Sequence, residues 1–310
     1  MSVLRSTSRS SIDLNRRELG VLMLAAGAAA AWPPSVLAAE PAVRRWRGYV
    51  DVRFGQLHLH FAEPAGGVPD NAPPPVMCFH PTAVSGASFG RFLDEMGKDR
   101  RMIAVDTPGY GKSDRPPSPQ PMEELAGAVS DAIAALGYGP GNPVDLWGYH
   151  TGSLMALEAA RQNPDAVRRV ILSAIPYCEG EARAEARERN VRPRETTKEE
   201  LMEMWDAMVE GRPEGVSAEE GLAKLTDVLQ AHPHQWWALE GVFSYPIETM
   251  APQVRQPVRI LNVHGSLKDQ TAAAAPLFPD GSLVDIPELS HAVFDVGVER
   301  LAAETRAFFG

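Results

Sequence analysis

The stretch that decides the fold is Val144-Asp145-Leu146-Trp147-Gly148-Tyr149-His150-Thr151-Gly152, in which an apolar run meets a turn with a glycine on each side. Residues 144–148 predict a buried strand, and residues 152–163 predict a helix that Pro164 stops. The glycines are required because the central residue of so sharp a turn has neighbours packed closely on both sides. The pattern therefore predicts a strand, a tight turn at His150 and a helix.

The chain from residue 44 onward alternates strand and helix patterns. Residues 44–53 and 57–62 predict a hairpin, and residues 85–97 and 122–136 predict helices. A helical stripe ends the chain, formed by Val298, Leu301, Ala302, Thr305 and Phe308. Apolar runs without alternation suit parallel strands covered on both faces, and they occupy residues 76–80, 102–106, 144–148, 170–175, 258–263 and 283–286. This order predicts an α/β fold with a doubly wound, mostly parallel sheet.

Residues 179–250 interrupt this alternation. They begin with a charged, alanine-rich helix at residues 181–188 and then become rich in aromatic side chains, namely Trp205, Trp236, Trp237, Phe243 and Tyr245. This composition predicts a helical cap inserted between two core segments, residues 40–178 and 251–310. The aromatic side chains either line a cavity under the cap or fill the junction between cap and core.

Residues 1–39 have the character of a targeting segment. Several arginines precede an apolar stretch at residues 19–31, and a run of small residues ends at Ala39. This arrangement predicts a secretory signal peptide, in which Arg16-Arg17 resembles the twin-arginine type. An ordinary Sec signal and an uncleaved anchor are the alternatives, although the apolar stretch is shorter than the roughly 20 residues that span a bilayer. We expect an exported protein, periplasmic or secreted, without stable membrane insertion after cleavage near Ala39.

Composition limits the partners. Hydrophobic residues make up 44% of the chain, charged residues 23%, and the formal net charge is −10. No cluster of lysine and arginine of the nucleic-acid-binding type accompanies this charge, so we expect a small-molecule substrate and no nucleic acid. Cys78 lies in one predicted strand and Cys178 follows another, and these two strands are not neighbours, so we expect two free thiols. The oligomeric state stays open.

Two motifs resemble those of a known family. The stretch Asp106-Thr107-Pro108-Gly109-Tyr110-Gly111-Lys112-Ser113-Asp114 resembles the D-x-P-G-x-G-x-S-D loop of the α/β-hydrolases. The turn at residues 148–152 resembles their nucleophile elbow, G-x-S-x-G, with His150 in place of the serine. The resemblance covers nearly all of residues 44–310 and implies the α/β-hydrolase fold with an inserted cap.

The resemblance also implies roles for individual residues. It makes His150 and His291 the catalytic residues, with His291 after the last strand in the place of the family's base. The oxyanion hole would consist of the backbone N–H groups of Thr82 and Thr151, because the proline before Thr82 has no N–H to offer. His80 would be a structural hydrogen-bonding residue.

The acid of the family's catalytic triad has no clear counterpart. Ungapped alignment puts Ser266 at its place, shortly after His264, and Asp269 reaches that place only if the loop is three residues longer. A second acid position of the family, after the preceding strand of the sheet, offers Tyr177 and Glu179. We treat Asp269, Ser266 and His264 as the candidates for an acid or orienting group.

A histidine at the elbow changes the chemistry. A free imidazole has a pKa near 6.5 and is mostly neutral at pH 7, so it needs no base to activate it, whereas a serine does. His150 could attack a carbonyl or deprotonate a water, with His291 protonating the leaving group. We expect hydrolysis of an ester or lactone of a mainly apolar small molecule. The alternatives are a lyase or isomerase in which His150 accepts a substrate proton, and a non-catalytic binding site.

A metal centre is a further alternative for the same site. Four histidines, His80, His150, His264 and His291, follow predicted strands at their carboxyl ends, and three imidazoles would suit zinc. No metal-binding spacing accompanies them. We therefore predict neither a metal nor another cofactor.

Overall fold

Eight strands form one sheet in residues 42–290 and 292–310, the part of the chain that this computed structural model describes. The sheet has the order β1-β2-β4-β3-β5-β6-β7-β8; only the pairings β1–β2 and β2–β4 are antiparallel. The strands are β1 (Val43–Val52), β2 (Gly55–Pro64), β3 (Val76–Phe79), β4 (Met102–Val105), β5 (Val144–Tyr149), β6 (Val167–Ser173), β7 (Val258–Val263) and β8 (Gly281–Ile286). The prediction of a mostly parallel α/β sheet is confirmed.

Helices cover both faces of the sheet. Those outside the region between β6 and β7 are α1 (Gly90–Met96), α2 (Met122–Ala135), α3 (Thr151–Gln162), α9 (Lys268–Ala274), α10 (Val293–Val296) and α11 (Val298–Phe309). Successive residues of a strand face opposite sides. Met77 of β3 accordingly lies in one apolar core with α2 and α3, whereas Cys78 lies in the other with α1 and α11.

Two of the predicted boundaries differ from those observed for reasons that the structure shows. The strand predicted at residues 170–175 runs from Val167 to Ser173, because Ala174 adopts a φ of 52° and leaves the extended conformation. The N–H of Ile175 then donates to Thr271 Oγ1 at 2.9 Å instead of to a strand. The helix predicted at residues 85–97 begins as a 3₁₀ turn, Gly86–Phe89, which Ser85 caps, and continues as α1.

The region between β6 and β7 consists of helices in place of strands. It contains α4 (Gly180–Asn190), α5 (Lys198–Trp205), a π-helical turn (Asp206–Glu210), α6 (Ala218–Ala231), α7 (Trp237–Ser244) and α8 (Ile247–Met250). These helices belong to the same compact unit as the sheet. Ser217 caps α6 in a capping box with Glu220, which is the local signal that starts this helix.

Two further expectations concern the cysteines and the amino-terminal segment. Cys78 and Cys178 are free thiols, as expected, and burial raises the pKa of both. The signal peptide predicted at residues 1–39 lies outside the described residues. Within the described residues, none of the helices has the length and apolar character that crossing a membrane would require.

Candidate active site

The turn between β5 and α3 has the backbone geometry of a sharp elbow. His150 adopts φ 55° and ψ −123°, a conformation that costs a non-glycine residue energy and persists only where neighbours enforce it. Here its N–H donates to the Ser173 carbonyl at 3.0 Å, and its carbonyl accepts from the Ser153 N–H at 2.8 Å. The buried Ser153 hydroxyl also donates to that carbonyl, at 2.6 Å. Ser153 therefore supports the turn from inside α3 and does not replace the missing serine.

The glycines on either side of the elbow permit a close backbone approach. A Cβ on Gly152 would lie 2.0 Å from the Phe79 carbonyl oxygen, and one on Gly148 would lie 2.3 Å from the Gly152 carbonyl oxygen. Real Cβ atoms do not approach backbone so closely. The start of α3 thus packs directly against the end of β3, where the turn carrying Thr82 begins.

The elbow presents His150 to a cavity of about 440 Å³. The imidazole is half-buried, and its Nδ1 lies 3.3 Å from Thr151 Oγ1. The wall combines apolar side chains, mostly from the loop after β6 and the inserted helices, with a similar number of polar ones. Its residues are Thr82, His150, Pro176, Cys178, Ala182, Glu185, Ala186, Arg189, Asn190, Leu239, Phe243, Leu267 and Gln270.

The two predicted oxyanion donors lie on the two elements that meet at this cavity. Thr82, on the turn after β3, lines the cavity together with His150. Thr151 is buried and is the first residue of α3, where backbone N–H groups have no partner within the helix and the helix dipole favours negative charge. This placement is compatible with the role predicted for both amides.

His80 is held within the turn that precedes Thr82. Its buried ring donates from Nδ1 to the Pro81 carbonyl at 2.9 Å and accepts from the Thr107 N–H through Nε2, also at 2.9 Å. Burial lowers the pKa of His80, so the neutral ring that these two bonds require is favoured. His80 is the structural residue that the resemblance implied.

The predicted acid candidates are not among the residues that line the cavity. His264, Ser266 and Asp269 follow β7 and are all exposed, and the residues of this segment that line the cavity are Leu267 and Gln270. The second pair of candidates, Tyr177 and Glu179, hydrogen-bond to each other through their side chains. His291, the predicted base, lies outside the described residues.

Sequence reasoning missed a buried cluster around Asp106. The carboxylate accepts hydrogen bonds from His58 Nδ1 at 2.8 Å, His60 Nε2 at 3.0 Å and the amides of Gly86 and Lys112, both at 2.8 Å. Burial by itself would raise the pKa of Asp106, but the His60 hydrogen bond and the other donors outweigh it and hold that pKa below its usual range. The alternation of His58 and His60 on one strand was the available signal.

This cluster is also where a metal could be considered. His58, His60 and Asp106 form the group of potential metal ligands found among the described residues, and that group includes none of the histidines in the metal alternative. Each oxygen of the Asp106 carboxylate already accepts two hydrogen bonds. This geometry is that of a structural carboxylate. It connects β2, the turn after β3 and the loop at residues 106–114 through hydrogen bonds.

The aromatic side chains of the inserted helices mostly pack elsewhere. Of the five in the sequence prediction, Phe243 lines the cavity. Trp237 packs against the Arg115 guanidinium, which lies 5.6 Å from its ring centre. Tyr245 is buried and donates to Glu158 at 2.6 Å. Trp237 and Tyr245 therefore fill the junction between the inserted helices and the core, whereas Phe243 lines the cavity.

Comparison with known proteins places these features in a family. A family model described as the thioesterase domain matches residues 74–276. Among curated proteins, 2-(acetamidomethylene)succinate hydrolase of Mesorhizobium japonicum is 29% identical over 132 residues, which are 42% of this chain and 44% of that protein. The 2-hydroxymuconate semialdehyde hydrolase of a Pseudomonas species is 33% identical over 114 residues, 34% of this chain and 40% of that protein. The matches thus span less than half the length of these relatives.

Solved structures show the same fold over most of the chain. A thermophilic esterase from Thermogutta terrifontis superposes with a TM-score of 0.65 at 22% identity, covering 85% of this chain and 97% of that one. A hydrolase from Pseudomonas aeruginosa superposes with a TM-score of 0.70 at 16% identity, covering 85% and 98%. At these identities the likeness establishes the fold.

Proposed function

The chain belongs to the thioesterase-domain family of the α/β-hydrolase superfamily, and from that premise we propose that it hydrolyses an ester, thioester or lactone of a small molecule at His150. The observation that carries this proposal is the position of His150. Its imidazole occupies the strained elbow between β5 and α3 and lines a cavity with Thr82. The cavity, at about 440 Å³, has the size of a small-molecule site.

The reaction proceeds in two steps if His150 is the nucleophile. A ring nitrogen attacks the carbonyl carbon with its lone pair, and the amides of Thr82 and Thr151 stabilise the oxyanion. The bond to the leaving group then breaks, and the leaving group takes a proton from His291. Water cleaves the resulting acyl-imidazolium, which releases the carboxylic acid and leaves a proton on His150; this proton returns to His291, and both histidines are restored.

The same residues support hydrolysis without an acyl-enzyme if His150 is a base. It then takes a proton from a water molecule while the water oxygen attacks the carbonyl carbon, and the tetrahedral intermediate breaks its bond to the leaving group, which takes a proton from His291. The proton held by His150 then returns to His291, and no acyl-enzyme forms. A covalent acyl group forms on His150 in the nucleophilic route and does not form in the base route. Rapid acid quenching of the enzyme with a slow ester or thioester, followed by peptide mass spectrometry, distinguishes them.

Replacing His150 by serine tests how far the site depends on histidine. We expect His150→Ser to hydrolyse a panel of esters and thioesters more slowly than the wild type. An intact serine triad loses about 10⁴-fold when its aspartate is neutralised, and the loop bearing Asp269 places Leu267 and Gln270 on the cavity in place of a carboxylate. Vigorous hydrolysis by His150→Ser would contradict this and would identify Asp269 as a working acid for His291.

We further propose that the protein is exported. The arginines and the apolar stretch in residues 1–39 support this. We expect exported material to begin near Ala39 on amino-terminal sequencing, and we expect a variant with lysines at both Arg16 and Arg17 to stay in the cytoplasm. Export of that variant would favour the Sec route, and an intact chain starting at Met1 in a membrane fraction would contradict cleavage.

A further inference from the structure

The cavity wall carries an arginine, Arg189, that differs from the other arginines of α4 because it has no ion-pair partner among the described residues. Arg183 and Arg187 of α4 form ion pairs with Glu248 at 2.9 Å and with Glu240 at 2.7 Å. Arg189 lines the cavity and forms no ion pair with any described residue. Its fixed charge is therefore available to a bound molecule.

Glu185 does not neutralise this arginine. It lies one helical turn before Arg189 and lines the same cavity, yet the two side chains are not within ion-pairing distance in the described structure. An exposed pair at this spacing gains little free energy even when it forms. A ligand carboxylate can engage the planar guanidinium through two parallel hydrogen bonds, which gives a stronger and more specific contact.

A second residue of the cavity wall carries an unsatisfied acceptor. Gln270 of α9 lines the cavity, and its Oε1 is buried without a hydrogen-bond partner in the part of the chain that the structure describes. Buried polar atoms nearly always have a partner, because leaving one unpaired is costly. Gln270 also has no hydrogen bond to its amide nitrogen among those residues, so no hydrogen bond fixes its amide group. Because Oε1 is shielded as it stands, the amide must turn towards the cavity to accept from a ligand.

We propose that the cavity at His150 recognises a small acyl compound bearing a carboxylate, bound by Arg189, and an N–H or O–H group, which donates to Gln270 Oε1. This inference rests on the proposed function for turnover but concerns binding. The apolar wall, including Leu239 and Phe243, holds the remainder of the molecule. The charge of the ligand follows from Arg189. Because the protein has a net charge of −10 and repels anions in general, a carboxylate is attracted only where a local cation such as Arg189 lies.

The test uses three amide probes that separate the two contacts without requiring turnover. N-benzoylglycine has both the carboxylate and the N–H donor, its primary amide lacks the charge, and N-benzoylsarcosine lacks the N–H. In calorimetric titrations of the wild type, we expect N-benzoylglycine to have a dissociation constant at least about 10-fold lower than that of its primary amide or of N-benzoylsarcosine. Equal binding of the three, or no binding, would overturn the proposal.

Variants assign each contact to its residue. Arg189→Gln should abolish the preference for the carboxylate over the amide, while the matched control Arg187→Gln on the same helix should keep it. Gln270→Met should abolish the preference for the N–H probe over N-benzoylsarcosine. Glu185→Gln should tighten N-benzoylglycine binding several-fold by removing a like charge. An Arg189→Gln variant that keeps the preference, an Arg187→Gln variant that loses it, or weaker binding by Glu185→Gln would each refute the assignment.

The outcome separates this inference from the proposed function. Selective binding without hydrolysis of any ester, thioester or lactone would support the recognition site and reject catalysis. Hydrolysis that does not discriminate between an anionic substrate and its neutral counterpart, together with equal probe binding, would support catalysis and reject the recognition site.

Discussion

His150→Ala is expected to reduce hydrolysis by about 10³-fold or more, because it removes the group that forms or activates the nucleophile. The imidazole is half-buried on a turn facing a cavity, so the free energy of unfolding should change by about 1 kcal/mol or less. Initial rates with an accepted ester or thioester and a urea titration measure the two effects.

His264→Ala is the matched control for this experiment. His264 is also a histidine that follows a strand of the sheet, but it is exposed and does not line the cavity. Its replacement should leave the rate near that of the wild type. Full activity in His150→Ala, with the fold intact, would exclude both catalytic roles of His150 and assign the hydrolysis to other residues. Absence of hydrolysis in the wild type as well would favour the non-catalytic binding alternative.

Gly152→Ala is expected to destabilise the protein by about 3 kcal/mol or more, in the range typical of severe overpacking. The added Cβ would lie 2.0 Å from the Phe79 carbonyl oxygen, 2.4 Å from the Phe79 carbonyl carbon and 2.9 Å from the His80 carbonyl oxygen. All three atoms belong to backbone at the end of a central strand, so they cannot rotate away as a flexible side chain would. Equilibrium unfolding in urea measures the loss.

Gly139→Ala provides the comparison, because no heavy atom lies within 4 Å of the Cβ position at Gly139. This variant should unfold within about 0.5 kcal/mol of the wild type, as surface substitutions usually do. If Gly152→Ala remains as stable as Gly139→Ala, the start of α3 does not pack against the end of β3 as described. A folded Gly152→Ala with displaced elbow geometry should still lose activity, because the amide of Thr151 moves with α3.

The strands and the elbow were predictable because their signals are local. A continuous apolar run such as residues 76–80 has few alternatives to a strand covered on both faces. The elbow needs glycine on both sides of its central residue, and the clash distances at Gly148 and Gly152 explain that requirement. The exit of Ala174 from β6 was not predictable, because it accompanies a hydrogen bond to Thr271, nearly a hundred residues away in sequence.

The sequence by itself determined the α/β sheet, the elbow at His150 and the helical insertion, since each depends on neighbouring residues in the chain. The tertiary structure alone decided which side chains meet. It placed Gln270 and Arg189 on the cavity wall, and it buried Asp106 between His58 and His60. These contacts join distant parts of the chain, and their geometry depends on how whole elements pack. No local pattern of residue types contains that information.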